Sequence, residues 1–298
     1  MKLAEDTVPF TEIREEELSP APAGGALIGR LLVQAGRLTE TDVQRALEYA
    51  RKREIRFGEA ALRLRLVAPV DVLKALSQQF NYPYAGLSAG SFDTGELVAA
   101  TNPFGSQAEA FRALRDELTA MLLGEEQRVL AVVSPGVGDG KTYVAANLAV
   151  SFAQLGARTA LMDADMRRPR LHRLFGVDSS VGLSTALAGR SDRFVVQPVA
   201  ELPGLYLLPA GPVPPNPLEL LQSRAFHSLI EDMLERFDRV VLDTPAAERG
   251  ADGRVIAGSG AALVIARKHR SSLAALETLV ASLSRRSVKI AGVMVNEH

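Results

Sequence analysis

A glycine-rich stretch near the middle of the chain has the residue types of a phosphate-binding loop. It reads SPGVGDGKT over residues 134–142, between an apolar run and a helix-length segment. Glycines let the backbone approach phosphate closely, and a helix that begins there supplies amides and the positive end of its dipole. Lys141 would neutralise the β and γ oxygens of a nucleoside triphosphate, and Thr142 would bind Mg²⁺. An ordinary glycine-rich turn is the weaker alternative, because strand, loop, Lys-Thr pair and helix occur together.

The rest of this loop supplies further candidate contacts to the nucleotide, namely Gly136, Gly138, Asp139 and Gly140. The loop departs from the common G-x-x-x-x-G-K-[ST] pattern at Pro135, which stands where the first glycine usually falls. Proline at that place fixes φ before the turn and removes one hydrogen-bond donor at the edge of the loop.

Three acidic residues follow apolar runs that are predicted strands. Asp163 and Asp165 lie in LMDADMRRP, and Asp243 lies in VVLDTP. Because the carboxyl ends of parallel strands meet at one edge of a sheet, we expect these acids beside Lys141. Carboxylates there can hold Mg²⁺ or orient a nucleophile, so the candidate metal ligands are Asp163, Asp243 and Thr142. The alternative, that these acids only cap helices, explains three acids at one edge of the sheet less well than a metal or nucleophile site does.

The base of the nucleotide is predicted to be adenine. No Asn-Lys-x-Asp sequence of the kind that reads guanine occurs in the chain, so ATP is favoured over GTP. Asn296, at the end of the last predicted strand, is a candidate contact to the base, and an ordinary turn residue is an equal alternative.

A β-sheet is needed to position these residues, and the second part of the chain has the sequence pattern of such a sheet. Six apolar runs alternate with helix-length segments: RVLAVVS, RTALMDAD, LYLLPAG, RVVLDTP, AALVIAR and VKIAGVMVN. Unbroken apolar runs are typical of central parallel strands that are covered on both faces. The sequence therefore predicts a doubly wound, mostly parallel α/β domain over residues 108–298, beginning with an amphipathic helix at 108–123.

The first part of the chain has a different pattern. Residues 1–25 are acidic and then rich in Pro, Ala and Gly, which predicts a disordered leader. Residues 26–85 are expected to form a helical repeat module with an offset of 29 residues, in which Gly29 corresponds to Gly58 and Val43 to Val72. Each repeat would consist of a short helix, a turn and a longer helix. Residues 86–107 contain many helix breakers and are interpreted as a linker.

The composition limits the partners and the cellular compartment that the protein can have. The chain has 298 residues with 47% hydrophobic content and a net charge of −1, so no basic field argues for nucleic acid. The absence of cysteine excludes disulfides and thiolate chemistry and fits a reducing cytoplasm. No apolar run approaches the ~20 residues that span a bilayer. We therefore expect a cytoplasmic protein. If it acts at the inner membrane, a partner protein must recruit it there.

The motifs, in this order and spacing, resemble the bacterial tyrosine kinases of capsule and exopolysaccharide synthesis. The resemblance covers about residues 103–298 and includes SPGVGDGKT, ALMDADMRRPRLHRLFG, GLSTALAG, LYLLPAGPVPPNPLELLQS and VVLDTPA. It implies Mg-ATP as cofactor, Lys141 and Thr142 as the first nucleotide motif, and Asp163 and Asp165 as the second. One of these acids would serve as base towards a tyrosine hydroxyl, and Asp243 would form the third motif. The family's loop has no fixed first glycine.

Two alternatives remain beside a kinase. Related partition and septum-positioning ATPases act as nucleotide switches, but they carry a second lysine where this chain has Gly136. A non-catalytic scaffold is disfavoured by the intact acids. The resemblance also implies a subunit-assembling Glu-x-x-Arg-x-x-Arg helix, and Glu109, Arg112 and Arg115 match it. A ring-shaped homo-oligomer is therefore expected, activated by an inner-membrane polysaccharide co-polymerase.

The N-terminal module resembles the N-terminal domain of type II secretion and pilus assembly ATPases, some of which bind cyclic di-GMP. The nucleotide-binding pattern there begins each repeat with Arg-Leu-Gly. The second repeat has Arg56-Phe57-Gly58, whereas the first has Leu27-Ile28-Gly29 without the arginine. Partner docking is therefore favoured over cyclic di-GMP. Both halves together suggest the chain-length-determinant subgroup of these kinases.

The positions of the tyrosines bear on which residue would accept the phosphate. The family commonly has a tyrosine-rich tail, but the five tyrosines of this chain are Tyr49, Tyr82, Tyr84, Tyr143 and Tyr206, and the chain ends VMVNEH. We expect phosphorylation mainly on a partner, with Tyr82 or Tyr84 the best acceptors within the chain. Packing of these two rings in the helical module is the competing interpretation. Tyr143 is a poor acceptor, since its phosphate would compete with ATP for the same amides.

Overall fold

The computed structural model describes residues 24–80, 95–122, 128–189 and 196–297. The chain divides into two compact units, Met1–Tyr82 and Pro83–His298. No helix in these ranges is long and apolar enough to cross a membrane.

The first unit is helical and has the same close contact in each repeat. Gly29 lies against Val43, and Gly58 lies against Val72. A Cβ added to either glycine would come within 3.1 Å and 3.0 Å of a valine methyl, respectively. The missing side chain therefore lets the short helix approach the longer one in both repeats. The helices are α1 (Gly24–Gln34), α2 (Glu40–Arg53), α3 (Phe57–Arg63) and α4 (Pro69–Phe80).

The start of α2 shows why the longer helix begins where it does. Thr39 Oγ1 accepts the backbone N–H of Asp42 at 3.2 Å, and Asp42 Oδ2 accepts the N–H of Thr39 at 3.1 Å. This capping box satisfies two amides that the first helical turn leaves without partners. A small core that includes Leu32, Val43 and Phe57 closes the unit.

The second unit confirms the predicted doubly wound, mostly parallel α/β fold. Its sheet has the order β3-β4-β2-β5-β1-β6-β7, and every neighbouring pair is parallel except β3 with β4. All six apolar runs are strands, whereas the short edge strand β3 was not predicted. The strands are β1 (Val129–Val133), β2 (Thr159–Asp163), β3 (Gln197–Pro198), β4 (Leu205–Leu208), β5 (Arg239–Asp243), β6 (Ala261–Arg267) and β7 (Lys289–Asn296).

Helices cover the sheet on both faces, and β1 shows how the side chains divide. Leu130 and Val132 join one buried cluster, while Val129, Ala131 and Val133 join the other. The helices are α5 (Val98–Thr101), α6 (Ser106–Met121), α7 (Lys141–Gln154), α8 (Leu171–Leu174), α9 (Leu183–Leu187), α10 (Pro217–Leu221), α11 (Arg224–Arg236), α12 (Asp252–Ala257) and α13 (Leu273–Ser284), with a 3₁₀ turn at Ala247–Arg249.

The end strand β7 pairs with β6 and leaves its other side without a strand in the described part of the sheet. Val293 and Val295 lie two residues apart, and hence on one face of β7, and both are exposed.

The interpretation of residues 86–107 as a linker is wrong for the part that the structure describes. Leu97, Ala99 and Ala100 are buried in the core of the α/β unit, and α5 forms within this segment. The misreading has a physical cause, because a four-residue helix is too short to produce a detectable period. Residues 86–94 lie outside the described ranges.

Candidate active site

The phosphate-binding loop joins β1 to α7, as the sequence predicts, and its glycines are required by shape. Gly138 and Gly140 have φ of +81° and +100°, a region that side chains with a Cβ rarely adopt. A Cβ on Gly140 would come within 2.2 Å of Asn296 Nδ2. The same Nδ2 donates to the carbonyl of Asp139 at 3.1 Å. Asn296 therefore lies against the loop, at the end of β7.

The side chain of Asp139 shapes the loop from inside. Its Oδ2 accepts the N–H of Gly136 at 2.7 Å, and its Oδ1 accepts the hydroxyl of Ser271 at 2.8 Å. The residue is almost fully buried. Because both carboxylate oxygens already have donors, the main chain of Asp139 is the part of the residue that remains for the predicted contact to the nucleotide.

Lys141 is the first residue of α7 and is held back against the loop. Its Nζ donates to Ser134 Oγ at 2.9 Å and lies 3.4 Å from the carbonyl of Gly136. Burial lowers the pKa of Lys141, while the negative charge of Asp243 opposes that shift. The ammonium group thus lies among acids and close to the loop that would carry phosphate.

Asp163 and Asp243 are opposite one another on neighbouring parallel strands. The register of β2 and β5 pairs their Cα positions. Asp243 Oδ2 accepts the hydroxyl of Thr142 at 2.7 Å, and Asp163 Oδ2 accepts the N–H groups of Arg170 and Leu171 at 2.9 Å and 3.0 Å. The other oxygen of each carboxylate, Oδ1, is buried and has no hydrogen-bond partner.

Burial acts strongly on this pair of acids. Desolvation raises the pKa of Asp243 to about 7, against the hydroxyl of Thr142 and the charge of Lys141, which lower it. Desolvation and the charge of Asp243 raise the pKa of Asp163 well above its usual value. Two buried carboxylates with unpartnered oxygens are a site where a cation would be stabilised.

A magnesium ion fits these residues. Mg²⁺ prefers oxygen ligands and is usually bound by one or two carboxylates together with substrate phosphates. Thr142 and Asp243 offer a hydroxyl and a carboxylate, and Asp163 offers the facing carboxylate. Within the described ranges no group of three or more His, Cys, Asp or Glu side chains could hold a metal by itself.

Asp165 lies two residues beyond β2 and faces the same cavity. Its Oδ1 accepts the N–H groups of Arg167 and Arg168 at 3.2 Å and 3.0 Å. The side chain is partly exposed, unlike that of Asp163. The two acids of this motif therefore differ, because Asp163 is buried opposite Asp243 whereas Asp165 is partly exposed in the cavity.

A cavity of about 440 Å³ brings these residues together. From the predicted set it is lined by Gly138, Gly140, Lys141, Thr142, Asp165 and Asn296. The sequence reasoning did not place eight further residues in this lining: Glu96, Val137, Tyr143, Arg168, Arg170, Ala246, Arg249 and Arg267. The arginine-rich run directly after the second acidic motif was a usable signal for two of them. Arg267 Nη1 also donates to the carbonyl of Gly138 at 2.9 Å.

The segment after β5 is attached to the loop, which was also not predicted. The N–H of Ala247 donates to the carbonyl of Ser134 at 2.9 Å, and that of Glu248 donates to the carbonyl of Pro135 at 3.0 Å. Glu248 Oε1 accepts the N–H of Val137 at 2.8 Å. The loop is thus fixed from the β5 side as well as from the β6 side.

The three expected assembly residues do not share one open face. Arg112 pairs with Glu109 and donates to the carbonyl of Pro103 at 2.7 Å. Arg115 is buried, and its Nη1 donates to the carbonyl of Ser151 on α7 at 3.1 Å. The expectation that Arg115 is free for a neighbouring subunit is wrong, because it already joins α6 to α7.

Two tyrosines of the α/β unit are packed rather than free. Tyr143 packs against Phe111 in a tilted arrangement with ring centroids 5.6 Å apart, and burial raises its pKa. Tyr206 packs against Phe237 in the same way, with ring centroids 5.2 Å apart. Tyr82 and Tyr84 lie outside the described residues.

Comparison with known proteins agrees with this geometry. A ParA family model, described as NUBPL iron-transfer P-loop NTPase, matches residues 125–246. The tyrosine-protein kinase ptk of Acinetobacter johnsonii is 33% identical over 202 residues, which are 67% of this chain and 28% of ptk. The chain thus spans less than a third of that relative.

Two further comparisons cover most of the relative or of the solved chain. The tyrosine-protein kinase YwqD of Bacillus subtilis is 33% identical over 178 residues, which are 59% of this chain and 75% of YwqD. The solved kinase domain of the Escherichia coli tyrosine kinase ETK superposes with a TM-score of 0.64 and 33% identity, covering 67% of this chain and 79% of that domain. Sequence and fold agree, and the chain belongs to the family of bacterial tyrosine-protein kinases.

Proposed function

We propose that the protein is an ATP- and Mg²⁺-dependent protein tyrosine kinase that regulates the polymerisation and export of exopolysaccharide or capsule. One observation supports this most directly. The phosphate-binding loop, the facing pair of buried aspartates and the partly exposed Asp165 lie at one edge of the sheet. Membership of the tyrosine-protein kinase family supports the choice of acceptor.

Each residue has a role that follows from its surroundings. The ammonium group of Lys141 would leave Ser134 and stabilise charge on the β and γ oxygens of ATP. Thr142, Asp163 and Asp243 would hold Mg²⁺, which supplies positive charge to the phosphate oxygens. Asp165 would accept the proton of the tyrosine hydroxyl, because its carboxylate is accessible in the cavity.

Incubation with γ-labelled ATP and a tyrosine-containing acceptor tests the assignment. We expect label on phosphotyrosine, and Asp165→Asn is expected to lower kcat at least about 100-fold with little change in the Kd for ATP. Asp178→Asn is a matched control, since Asp178 is an exposed acid bonded to Ser180 outside the cavity. Equal losses in affinity and rate would instead make Asp165 a metal ligand.

A nucleotide-dependent switch without tyrosine phosphorylation is the second candidate. The packing of the Tyr143 and Tyr206 rings favours it, because each ring is held against a phenylalanine of the folded α/β unit. Brisk ATP hydrolysis with phosphotyrosine found on neither this chain nor the acceptor would establish the switch and contradict the kinase. Phosphopeptide mapping would separate labelling of Tyr82 or Tyr84 from labelling of a partner.

We propose further that an inner-membrane co-polymerase recruits and activates the protein, and that Glu109 and Arg112 contribute to a homo-oligomeric ring. Arg112 is partly exposed on α6, where a neighbouring subunit could replace its pairing with the exposed Glu109. Light scattering of Arg112→Glu with the cytoplasmic segment of the co-polymerase tests this. An unchanged mass would contradict the ring.

The N-terminal unit is proposed as a docking module for a partner, in preference to cyclic di-GMP. Arg37, one of the cations lining a surface cavity there, is paired with Asp71, which leaves less positive charge for a dinucleotide. Isothermal titration with cyclic di-GMP should give no heat, and tight binding would overturn this choice.

A further inference from the structure

The segment of residues 95–101, here named the strap, is fixed to the helix of the phosphate-binding loop. Asn147 of α7 is fully buried and makes three hydrogen bonds, two of them to the strap. Its Oδ1 accepts the N–H of Ala99 at 2.8 Å, and its Nδ2 donates to the carbonyls of Glu96 and Tyr143 at 2.7 Å and 2.9 Å. The amide thereby joins the strap to the first turn of α7.

A second buried side-chain amide, near the C-terminal end of α7, also bonds to the strap. Gln154 Nε2 donates to the carbonyl of Ala99 at 2.8 Å, and the side chains of Leu97 and Ala100 in the strap are buried. Unpaired buried amides are costly, so the contact with α7 holds the main chain of the strap in one position. The position of Glu96 is therefore set by the helix that begins with Lys141.

The side chain of Glu96 reaches the nucleotide cavity and pairs there with Arg170. Arg170 is fixed on its own side, because its N–H donates to Asp163 Oδ2 at 2.9 Å. The ion pair thus connects the strap with the second acidic motif across the wall of the cavity. The side chains of Glu96 and Arg170 are 30% and 51% exposed.

An arginine at the wall of a phosphate-binding cavity would ordinarily bind phosphate, since its guanidinium forms strong charge-assisted bonds with phosphate oxygens. Here the carboxylate of Glu96 is paired with the guanidinium of Arg170. A partly exposed ion pair is weak, so a polyphosphate with several negative charges competes with Glu96 for the same group. The strength of the Glu96–Arg170 pair therefore affects how firmly a nucleotide is held.

We propose that Glu96 is a positioning residue that withholds Arg170 from the phosphates of the bound nucleotide and so sets nucleotide affinity and the rate of ADP release. This deepens the proposed function, because it rests on nucleotide binding in the cavity of the kinase site. It also makes the strap, which precedes α6 in the chain, a functional part of the nucleotide site.

Stopped-flow binding of fluorescently labelled ATP and ADP to the full chain tests the proposal. Glu96→Gln keeps the shape and removes the charge, so it is expected to lower the Kd for both nucleotides about 3- to 10-fold through slower release. Arg170→Gln is expected to raise the Kd. Glu96→Asp should return values close to those of the native chain, and Glu59→Gln, which breaks an exposed pair with Arg63, should change nothing.

A double variant with Glu96→Gln and Arg170→Gln distinguishes an effect of Glu96 through Arg170 from direct repulsion between Glu96 and the nucleotide. If Glu96 acts through Arg170, Glu96→Gln has no effect in the Arg170→Gln background. An equal effect in both backgrounds would mean that Glu96 repels the nucleotide directly and would overturn the proposal, as would an unchanged Kd in the single variant. Binding is measured without an acceptor, so absence of phosphotyrosine with the expected Kd changes would contradict the kinase and leave this inference standing.

Discussion

Lys141 is the only cation in the loop of residues 134–142, and no other loop side chain can take its place. We expect Lys141→Ala to lower kcat/KM for phosphate transfer about 100- to 1,000-fold and to weaken ATP binding, because an electrostatic contact to the reacting phosphate is lost. Filter binding and initial-rate kinetics measure both quantities. Lys268→Ala is the matched control, since that lysine is exposed and paired with Glu297. Equal activity in the two variants would remove Lys141 from the mechanism.

Asp243 makes stability depend on pH. Its folded pKa of about 7 lies above the usual 3.8, so the folded protein binds a proton that the unfolded chain releases between these values. Without nucleotide and magnesium, this contribution is present below about pH 4 and is lost as the pH rises towards 7, by on the order of 4 kcal/mol. We expect urea unfolding of Asp243→Asn to show a smaller decline over this window. Parallel curves for both proteins would contradict the shifted pKa.

Single residues also show where sequence reasoning works and where it stops. Lys141, Thr142 and the three acids were found because strand ends and a glycine-rich loop fix their places along the chain. Glu248 and Arg267 reach the loop from more than a hundred residues away, and no local pattern encodes such contacts. The buried role of Arg115 was missed for a related reason: spacing identifies a helical face but not what covers it.

At the scale of elements, Arg115 joins α6 to α7 and its loss should weaken that contact. Arg115→Ala leaves the carbonyl of Ser151 without this donor in a buried place, which is expected to lower the free energy of unfolding by about 1–3 kcal/mol. Glu117→Ala, at an exposed position of the same helix, should change it by less than about 0.5 kcal/mol. Chemical denaturation measures both. An equally small effect of both changes would show that the buried contact is not stabilising.

Elements were predictable in proportion to their length and apolar pattern. The six longer strands are continuous apolar runs, and α2 begins with a recognisable cap at Thr39. The two residues of β3 and the four residues of α5 are too short to show a period, and packing against the larger unit determines them. Turn-forming residues on both sides of α5 led to its interpretation as part of a linker.

For the whole molecule, the buried strap determines where the α/β unit can be cut. A fragment of residues 95–298 is expected to fold and bind ATP. A fragment of residues 102–298 keeps all of α6 but loses the burial of Leu97 and the hydrogen bonds that Asn147 and Gln154 make to the strap. Its free energy of unfolding should be lower by roughly 4 kcal/mol or more. Equal denaturation midpoints for the two fragments would contradict the packing of the strap.

The end strand β7 has a consequence for concentrated solutions of the protein. Its outer side has no neighbouring strand in the described part of the sheet, and the side chains of Val293 and Val295 are exposed. Edges of this kind template intermolecular β-pairing, and natural proteins often protect them with charges. Lys289 and Glu297 are charged but stand at or beyond the ends of the strand. We therefore expect Val293→Lys or Val295→Lys to raise the solubility of the protein, and neither position lines the nucleotide cavity.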